Sequence, residues 1–265
     1  MVTNHSSFIK ENYDDVAYRL GEKYECERWG KNASGRRDYE QTLRSLLYHI
    51  NNRHFRNVLE IGCGVGTWTV HLRNYCDSIT VIDISKRMVE ITINRLRRLN
   101  FRKISGIVCD FQASGIEGNE KYDAIFCIRA IEYMEDKISA LSNMYRLLDD
   151  NGFVFIVTKN SHRGLIPFLS LITQKIFKQP KLFAYRIHYK NLLILMRKIG
   201  FTNVDVYPVI VSYGIASYDT SHPLLIEKNE ALLSNVIFDS IYKKRLNPFY
   251  LPLCVIESYC VIATK

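Results

Sequence analysis

The chain has 265 residues, 47% hydrophobic and 24% charged, with a formal net charge of +9 at pH 7. That balance is ordinary for a globular protein, and the length allows one α/β domain with appendages or two small domains. The start, MVTNHSSFIKENYDDV, carries no apolar leader, and no apolar run reaches the roughly 18 residues of a membrane span. The seven scattered cysteines show no zinc-like spacing, so the expectation is a cytoplasmic protein with no metal. The basic residues are spread out, as in KRMVEITINRLRRLNFRK (Lys86 to Lys103), which reads as the solvated face of a helix rather than a nucleic-acid groove.

In chain order, Arg37 to Asn51 places Leu43, Leu46, Leu47 and Ile50 at helical spacing. Val58 to Ile61 is a buried strand, followed by a helix over Thr67 to Cys76. Ser78 to Ile82 is a second strand, with Ser85 as N-cap of a helix running through Leu99. Ser105 to Cys109 and Tyr122 to Ile128 are strands three and four, and Lys137 to Leu148 is helical. The run DDNG (Asp149 to Gly152) is a turn before a fifth strand, FVFIVT. Beyond it lie a mostly helical insertion (Ser161 to Tyr189), a helix from Asn191 to Ile199 ended by Gly200, and a strand from Val204 to Val211. An irregular stretch rich in Tyr and Pro (Ser212 to Pro252) precedes a closing strand from Cys254 to Ala263. Alternation of strands and helices with short loops predicts a parallel sheet covered on both faces.

The stretch VLEIGCGVGTW (Val58 to Trp68) then asks what ligand it serves, because such sheets bind ligands at the carboxyl ends of their strands. A triphosphate-binding loop would need GxxxxGK[ST], and no Lys is present. The dinucleotide fingerprint G-x-G-x-x-G fails in both registers, since Thr67 or Thr69 falls where the third glycine belongs. What stands here is E-x-G-x-G-x-G: Glu60, Gly62, Gly64, Gly66. An acidic residue ahead of the glycines repels pyrophosphate and suits a ligand with a cationic group.

VLEIGCGVGTWT resembles the first motif of the class I S-adenosylmethionine-dependent methyltransferases, and later segments follow in that family's order: VIDIS (Val81 to Ser85), VCDFQ (Val108 to Gln112), YDAIFCIRAIEYMED, RLLDDNGFVFIVT and NLLILMRKIGFTNVDV. The resemblance spans roughly Asn57 to Val211. It implies a Rossmann-like α/β fold with a mostly parallel seven-stranded sheet, helices on both faces, an N-terminal helical lid and an inserted helical segment. The implied organisation is a single domain, 1–265: a lid over 1–55, a cofactor-binding core over 56–160, a second lid over 161–190, and a C-terminal part over 191–265 with a substrate-side insertion at 212–252. The implied cofactor is S-adenosyl-L-methionine, leaving S-adenosyl-L-homocysteine, with no metal. In the family Gly62, Cys63, Gly64 and Gly66 pass under the cofactor, and Glu60 stands near its amino-acid end. Asp83 takes both ribose hydroxyls, Asp110 takes the adenine amino group and Phe111 lies by the ring. Ile84 and Ile128 complete that set, with Tyr13, Tyr18 and Trp29 of the N-terminal segment as cover. Cys127 lacks the Pro-Cys pair of nucleophilic methyltransferases and reads as core.

An alcohol acceptor needs a base, and the candidates are Tyr133, His162, His188 and His222. The family often has His where Tyr133 stands, which moves the base elsewhere or leaves catalysis to proximity. His162 lies just beyond strand five; His188 either lines the pocket or caps the next helix; Arg129 and Glu132 either orient a ligand or are solvated loop charges. No (N/D/S)PP(Y/F) loop follows strand four, and no RNA-binding appendage is visible. The expected acceptor is a hydroxyl on a small molecule such as a natural product, glycan or lipid-linked compound. An amine acceptor is the alternative within enzymes; RNA methylation or a non-catalytic partner subunit are alternatives of other classes. Gly164 to Tyr189 reads as a lid helix or as an amphipathic face for a hydrophobic substrate or membrane surface, and the chain as a monomer or homodimer.

Overall fold

The computed structural model describes residues 5–113, 116, 120–161, 184–213 and 254–265. Five longer helices are α1 (His5–Leu20), α2 (Ala33–Ile50), α3 (Lys86–Arg98), α4 (Lys137–Leu147) and α5 (Tyr189–Ile199). The strands are β1 (Phe55–Ile61), β2 (Cys76–Asp83), β3 (Ile104–Val108), β4 (Tyr122–Ile128), β5 (Leu148–Lys159), β6 (Thr202–Tyr213) and β7 (Cys254–Thr264). They form one seven-stranded sheet in the order β3-β2-β1-β4-β5-β7-β6. Strands β1 to β5 pair in parallel, and β7 runs antiparallel between β5 and β6.

Alternation along the central strands builds a core on each face. Val58, Ala124, Phe126, Phe153 and Phe155 point to one side and pack with Leu46 and Ile50 of α2 and Val89 and Leu96 of α3. Leu59, Ile125, Cys127, Val154 and Ile156 point to the other and pack with Leu141 and Met144 of α4 and Leu192 and Met196 of α5. Strands buried on both faces need continuous apolar runs, which is why IFCI and FVFIV lack the polar alternation of a half-exposed sheet.

Local signals place most boundaries. The Ser85 side chain accepts a hydrogen bond from the Met88 amide (3.3 Å) at the start of α3. Asp136 does the same for the Ser139 amide (2.9 Å) at α4, and Gly200, with φ of 120°, ends α5. Two expectations are corrected. The helix expected over Thr67 to Cys76 is only Thr69–Leu72 followed by a 3-10 turn at Arg73–Tyr75, and Cys76 already belongs to β2. The DDNG turn lies inside β5: Leu148 pairs with Tyr122 and Phe153 with Ala124, so residues 149–152 bulge out, with Asn151 at φ of 62°.

The switch in strand order falls between β1 and β4, which lie side by side, so their carboxyl ends open a crevice there. Helix α1 crosses over it and packs Ala17 against Val65 and Met88. Most of the expected insertions at 161–190 and 212–252 lies outside the described residues. Among those described, no helix is long and apolar enough to cross a membrane.

Candidate active site

A cavity of about 140 Å³ occupies that crevice. Its floor is the loop after β1, where Gly62, Gly64 and Gly66 have φ of 74°, 53° and 81°, the left-handed region that favours glycine. The Gly62 and Cys63 amides both donate to the Ile82 carbonyl (2.7 and 3.0 Å), turning the chain sharply. The glycines do three different jobs. A Cβ on Gly62 would sit 2.2 Å from the Ala130 Cβ, so this position holds the β1 and β4 loops together. A Cβ on Gly66 would press on Thr92 at 3.2 Å, so its role is packing against α3; it does not line the cavity, correcting the expectation that all three glycines touch the ligand. Only Gly64 has open space where a Cβ would stand, on the cavity side.

Asp83, at the end of β2, lines the cavity and is fixed by backbone donors: Gly64 N–H to Oδ2 (2.9 Å) and Ser85 N–H to Oδ1 (3.0 Å). Burial raises its pKa, and those amides hold part of the shift back. A carboxylate offers about four lone-pair sites, so capacity remains for two more donors. Asp110 and Phe111 follow β3 and also line the cavity, with Phe111 buried. The Ser6 hydroxyl of α1 donates to Asp110 Oδ2, and the Gln112 amide donates to Oδ1 at 3.3 Å. Ile84, Ile128 and Cys63 complete this wall, and burial pushes the Cys63 thiol well up, keeping it neutral.

Glu60 departs from the expectation. It is 1% exposed, lies in β1 beneath the loop, and is absent from the cavity lining. Neither carboxyl oxygen has a hydrogen-bond partner, although the Thr69 hydroxyl lies nearby. Burial pushes its carboxyl up to about 8, with a further push from the Asp83 charge. The group is therefore protonated at neutral pH, because an unpaired charge there would lose its hydration without compensation.

The roof comes from the N-terminal segment. Tyr13 of α1 and Trp29 of the π turn Cys26–Gly30 line the cavity, whereas Tyr18 is 85% exposed and points away. Trp29 meets Trp68 edge-on at 5.5 Å, and Tyr39 stacks on Trp68 at 5.3 Å. Polar ties anchor this roof: Ser85 Oγ to Asp14 (2.5 Å), Arg95 to Glu25 (2.6 Å), and Arg98 to Glu22. Sequence reasoning missed Ser6, Ile9, Tyr24 and Arg28, which also line the cavity. Their signal was there in part: Arg28 is in the same turn that carries Trp29, and Tyr24 stands just before it.

Tyr133, beyond β4, lines the opposite side, 5.7 Å from Tyr13 ring to ring. Its backbone carbonyl lies 3.1 Å from Nε2 of His5. His188 is corrected: it is the N-cap of α5, its Nδ1 accepting from the Lys190 amide (3.3 Å), and it does not line the cavity. His162 and His222 lie outside the described residues. Arg129 and Glu132 are not solvated loop charges. Arg129, with φ of 61°, donates to Asp38 (2.6 Å) and Ser258 (3.0 Å); Glu132 accepts from Thr158 (3.1 Å) and from the Lys159 amide (3.0 Å). Both are buried. Cys127 is core, its thiol pushed up to about 12 by burial. No group of three or more His, Cys, Asp or Glu among the described residues is placed to hold a metal ion.

Residues 59–154 match the model of the methyltransferase domain family. Nodulation protein S of Azorhizobium caulinodans is 31% identical over 130 residues, covering 47% of this chain and 60% of that protein. The ubiquinone biosynthesis O-methyltransferase of Vibrio cholerae is 25% identical over 137 residues, 51% of this chain and 55% of that protein. The chain thus spans about half the length of the curated relatives it matches. Among solved structures, phosphoethanolamine N-methyltransferase 2 of Haemonchus contortus superimposes with a TM-score of 0.64 at 18% identity, covering 100% of this chain and 61% of that one. Residues 59–154 thus form a methyltransferase domain, and sheet order, glycine loop and acidic strand ends give the chain the fold of the class I S-adenosylmethionine-dependent methyltransferases.

Proposed function

We propose that the protein transfers a methyl group from S-adenosylmethionine to a hydroxyl of a small molecule. The observation that carries this reading is convergence: Gly64, Asp83, Asp110, Phe111 and the aromatic roof line one cavity. The residues fit the cofactor, because Gly64 leaves a bare backbone toward the cavity and Asp83 keeps acceptor capacity beyond its two backbone donors. Bound S-adenosylmethionine supplies a methyl group activated by a positively charged sulfur. The chain's own part is to hold and to exclude. Asp83 would take the ribose hydroxyls, Asp110 the adenine amino group, and Phe111, Ile84 and Ile128 the apolar faces. Tyr13, Trp29 and Trp68 line the cavity and would shield the bound donor and acceptor from water. The base for a hydroxyl acceptor is assigned to His162, on the segment after β5. An amine acceptor is the second reading, favoured by Tyr133 at the loop position where the family often has histidine; a neutral amine already carries the lone pair that attacks.

Calorimetry with S-adenosylmethionine tests the cofactor reading. Saturable binding that weakens at least tenfold in Asp83→Ala is expected; no binding to the wild type overturns it. Methyl transfer to a panel of hydroxyl and amine acceptors tests the rest. Turnover on hydroxyls that His162→Ala leaves unchanged refutes the base assignment.

A further inference from the structure

Among the described residues, one cation in the cavity wall has no ion-pair partner. Arg28 is half-buried on the π turn, its guanidinium 4.5 Å from the centre of the Trp29 ring. Among the described residues it forms no ion pair, whereas four other sheltered cations do. Arg129 pairs with Asp38 (2.6 Å), Arg37 with Glu257 (3.5 Å), Lys159 with Asp38 (3.6 Å) and Arg95 with Glu25 (2.6 Å). The acidic group whose charge reaches Arg28, Glu132, is already held by Thr158 and the Lys159 amide. Guanidinium cannot shed its proton, so its charge persists in this sheltered place.

Around it stand three phenols. Tyr13, Tyr24 and Tyr133 line the same cavity, with ring centres 6.5 Å apart for Tyr13 and Tyr24 and 5.7 Å for Tyr13 and Tyr133, and all three interact electrostatically with Arg28. A guanidinium only donates, and each phenol adds one O–H donor, so the set can present a cluster of donors to a carboxylate or phosphate. The same positive field reaches Lys159, whose ammonium is pushed down to about 8 by burial and by the Arg129 charge, with Arg28 adding a smaller push.

We infer that Arg28, with the hydroxyls of Tyr13, Tyr24 and Tyr133, forms an oxyanion subsite that anchors the charged end of a bound ligand. This rests on the methyltransferase reading, which supplies two sources for such a group: the amino-acid carboxylate of the methyl donor, or a carboxylate or phosphate on the acceptor.

The test uses the chain's two tryptophans, Trp29 and Trp68, both in the cavity wall, as reporters of binding. S-adenosylhomocysteine, 5′-methylthioadenosine (which lacks the amino-acid part), and inorganic phosphate or acetate added to S-adenosylhomocysteine-saturated protein are titrated against wild type, Arg28→Gln and Arg28→Lys. If the subsite serves the donor, Arg28→Gln weakens S-adenosylhomocysteine about tenfold or more and leaves methylthioadenosine unchanged. If it serves the acceptor, both nucleosides bind as before, while the saturable phosphate or acetate response falls by about the same factor. In either case Arg28→Lys, which keeps the charge without the fork, falls between. Equal S-adenosylhomocysteine affinity together with equal or non-saturable anion responses in wild type and Arg28→Gln overturns the inference. Methylthioadenosine binding shows that each variant is folded. Failure of S-adenosylhomocysteine to bind the wild type would refute the cofactor reading instead, and the anion titration on free protein would still decide whether Arg28 binds oxyanions.

Discussion

Replacing Glu60 by glutamine should change how stability responds to pH. The carboxyl is 1% exposed, has no hydrogen-bond partner and is pushed from 4.5 up to about 8. In the unfolded chain it ionises at its ordinary value, so between about pH 5 and pH 7 the unfolded state has released a proton that the folded state still holds. Stability contributed by the neutral folded carboxyl is thus fully present below the unfolded value and declines as pH rises toward the folded one. Each pH unit inside that window costs about 1.4 kcal/mol, or roughly 2.5 kcal/mol between about pH 5 and pH 7. Glutamine has the same shape and no titration. Glu60→Gln adds a pH-independent offset from its buried amide, but removes this slope. Equilibrium urea unfolding of both proteins across that range reads the difference directly. The wild type should lose about 2.5 kcal/mol relative to the variant over the window. Parallel stability curves would show that Glu60 is ionised in the folded protein and that its burial has been misjudged.

Other substitutions separate the roles in the loop and roof. Gly62→Ala should destabilise the fold by about 2–4 kcal/mol, from its left-handed backbone and the 2.2 Å approach to Ala130, measured as a drop in urea midpoint. Gly64→Ala should cost only about 1–2 kcal/mol, since nothing stands within 4 Å of its Cβ, yet should weaken S-adenosylhomocysteine binding in calorimetry at least tenfold. Asp38→Asn leaves the buried Arg129 guanidinium without its countercharge and should cost about 3–5 kcal/mol; a loss under 1 kcal/mol in chemical unfolding would contradict the buried pair. Ser6→Ala removes the α1 donor to Asp110 and should raise hydrogen exchange in residues 5–20 without affecting the core strands.

Much of the fold was legible because its signals are local or periodic. The continuous apolar runs at β1, β4 and β5 require burial on both faces. Ser85 and Asp136 announce their helices, and glycines at 62, 64 and 66 announce a backbone that no other residue adopts easily. The acidic ends of β2 and β3 follow from the same local order, and the structure brings both to the cavity. What the chain order could not show is contact between distant segments. Ser6 meets Asp110 across 104 positions and Arg129 meets Asp38 across 91, pairings that no local spacing encodes. Nor could it show whether a charge survives burial: Glu60 reads as an anion in the motif, but its place under the loop makes it a neutral acid. The sequence by itself determined the sheet, the glycine turn and the methyltransferase domain, since backbone conformation and apolar patterning depend on neighbours along the chain. Only the tertiary structure decided which glycine has open space at the cavity, which histidine is a helix cap and which arginine forms no ion pair among the described residues, because those depend on what packs against each residue from elsewhere.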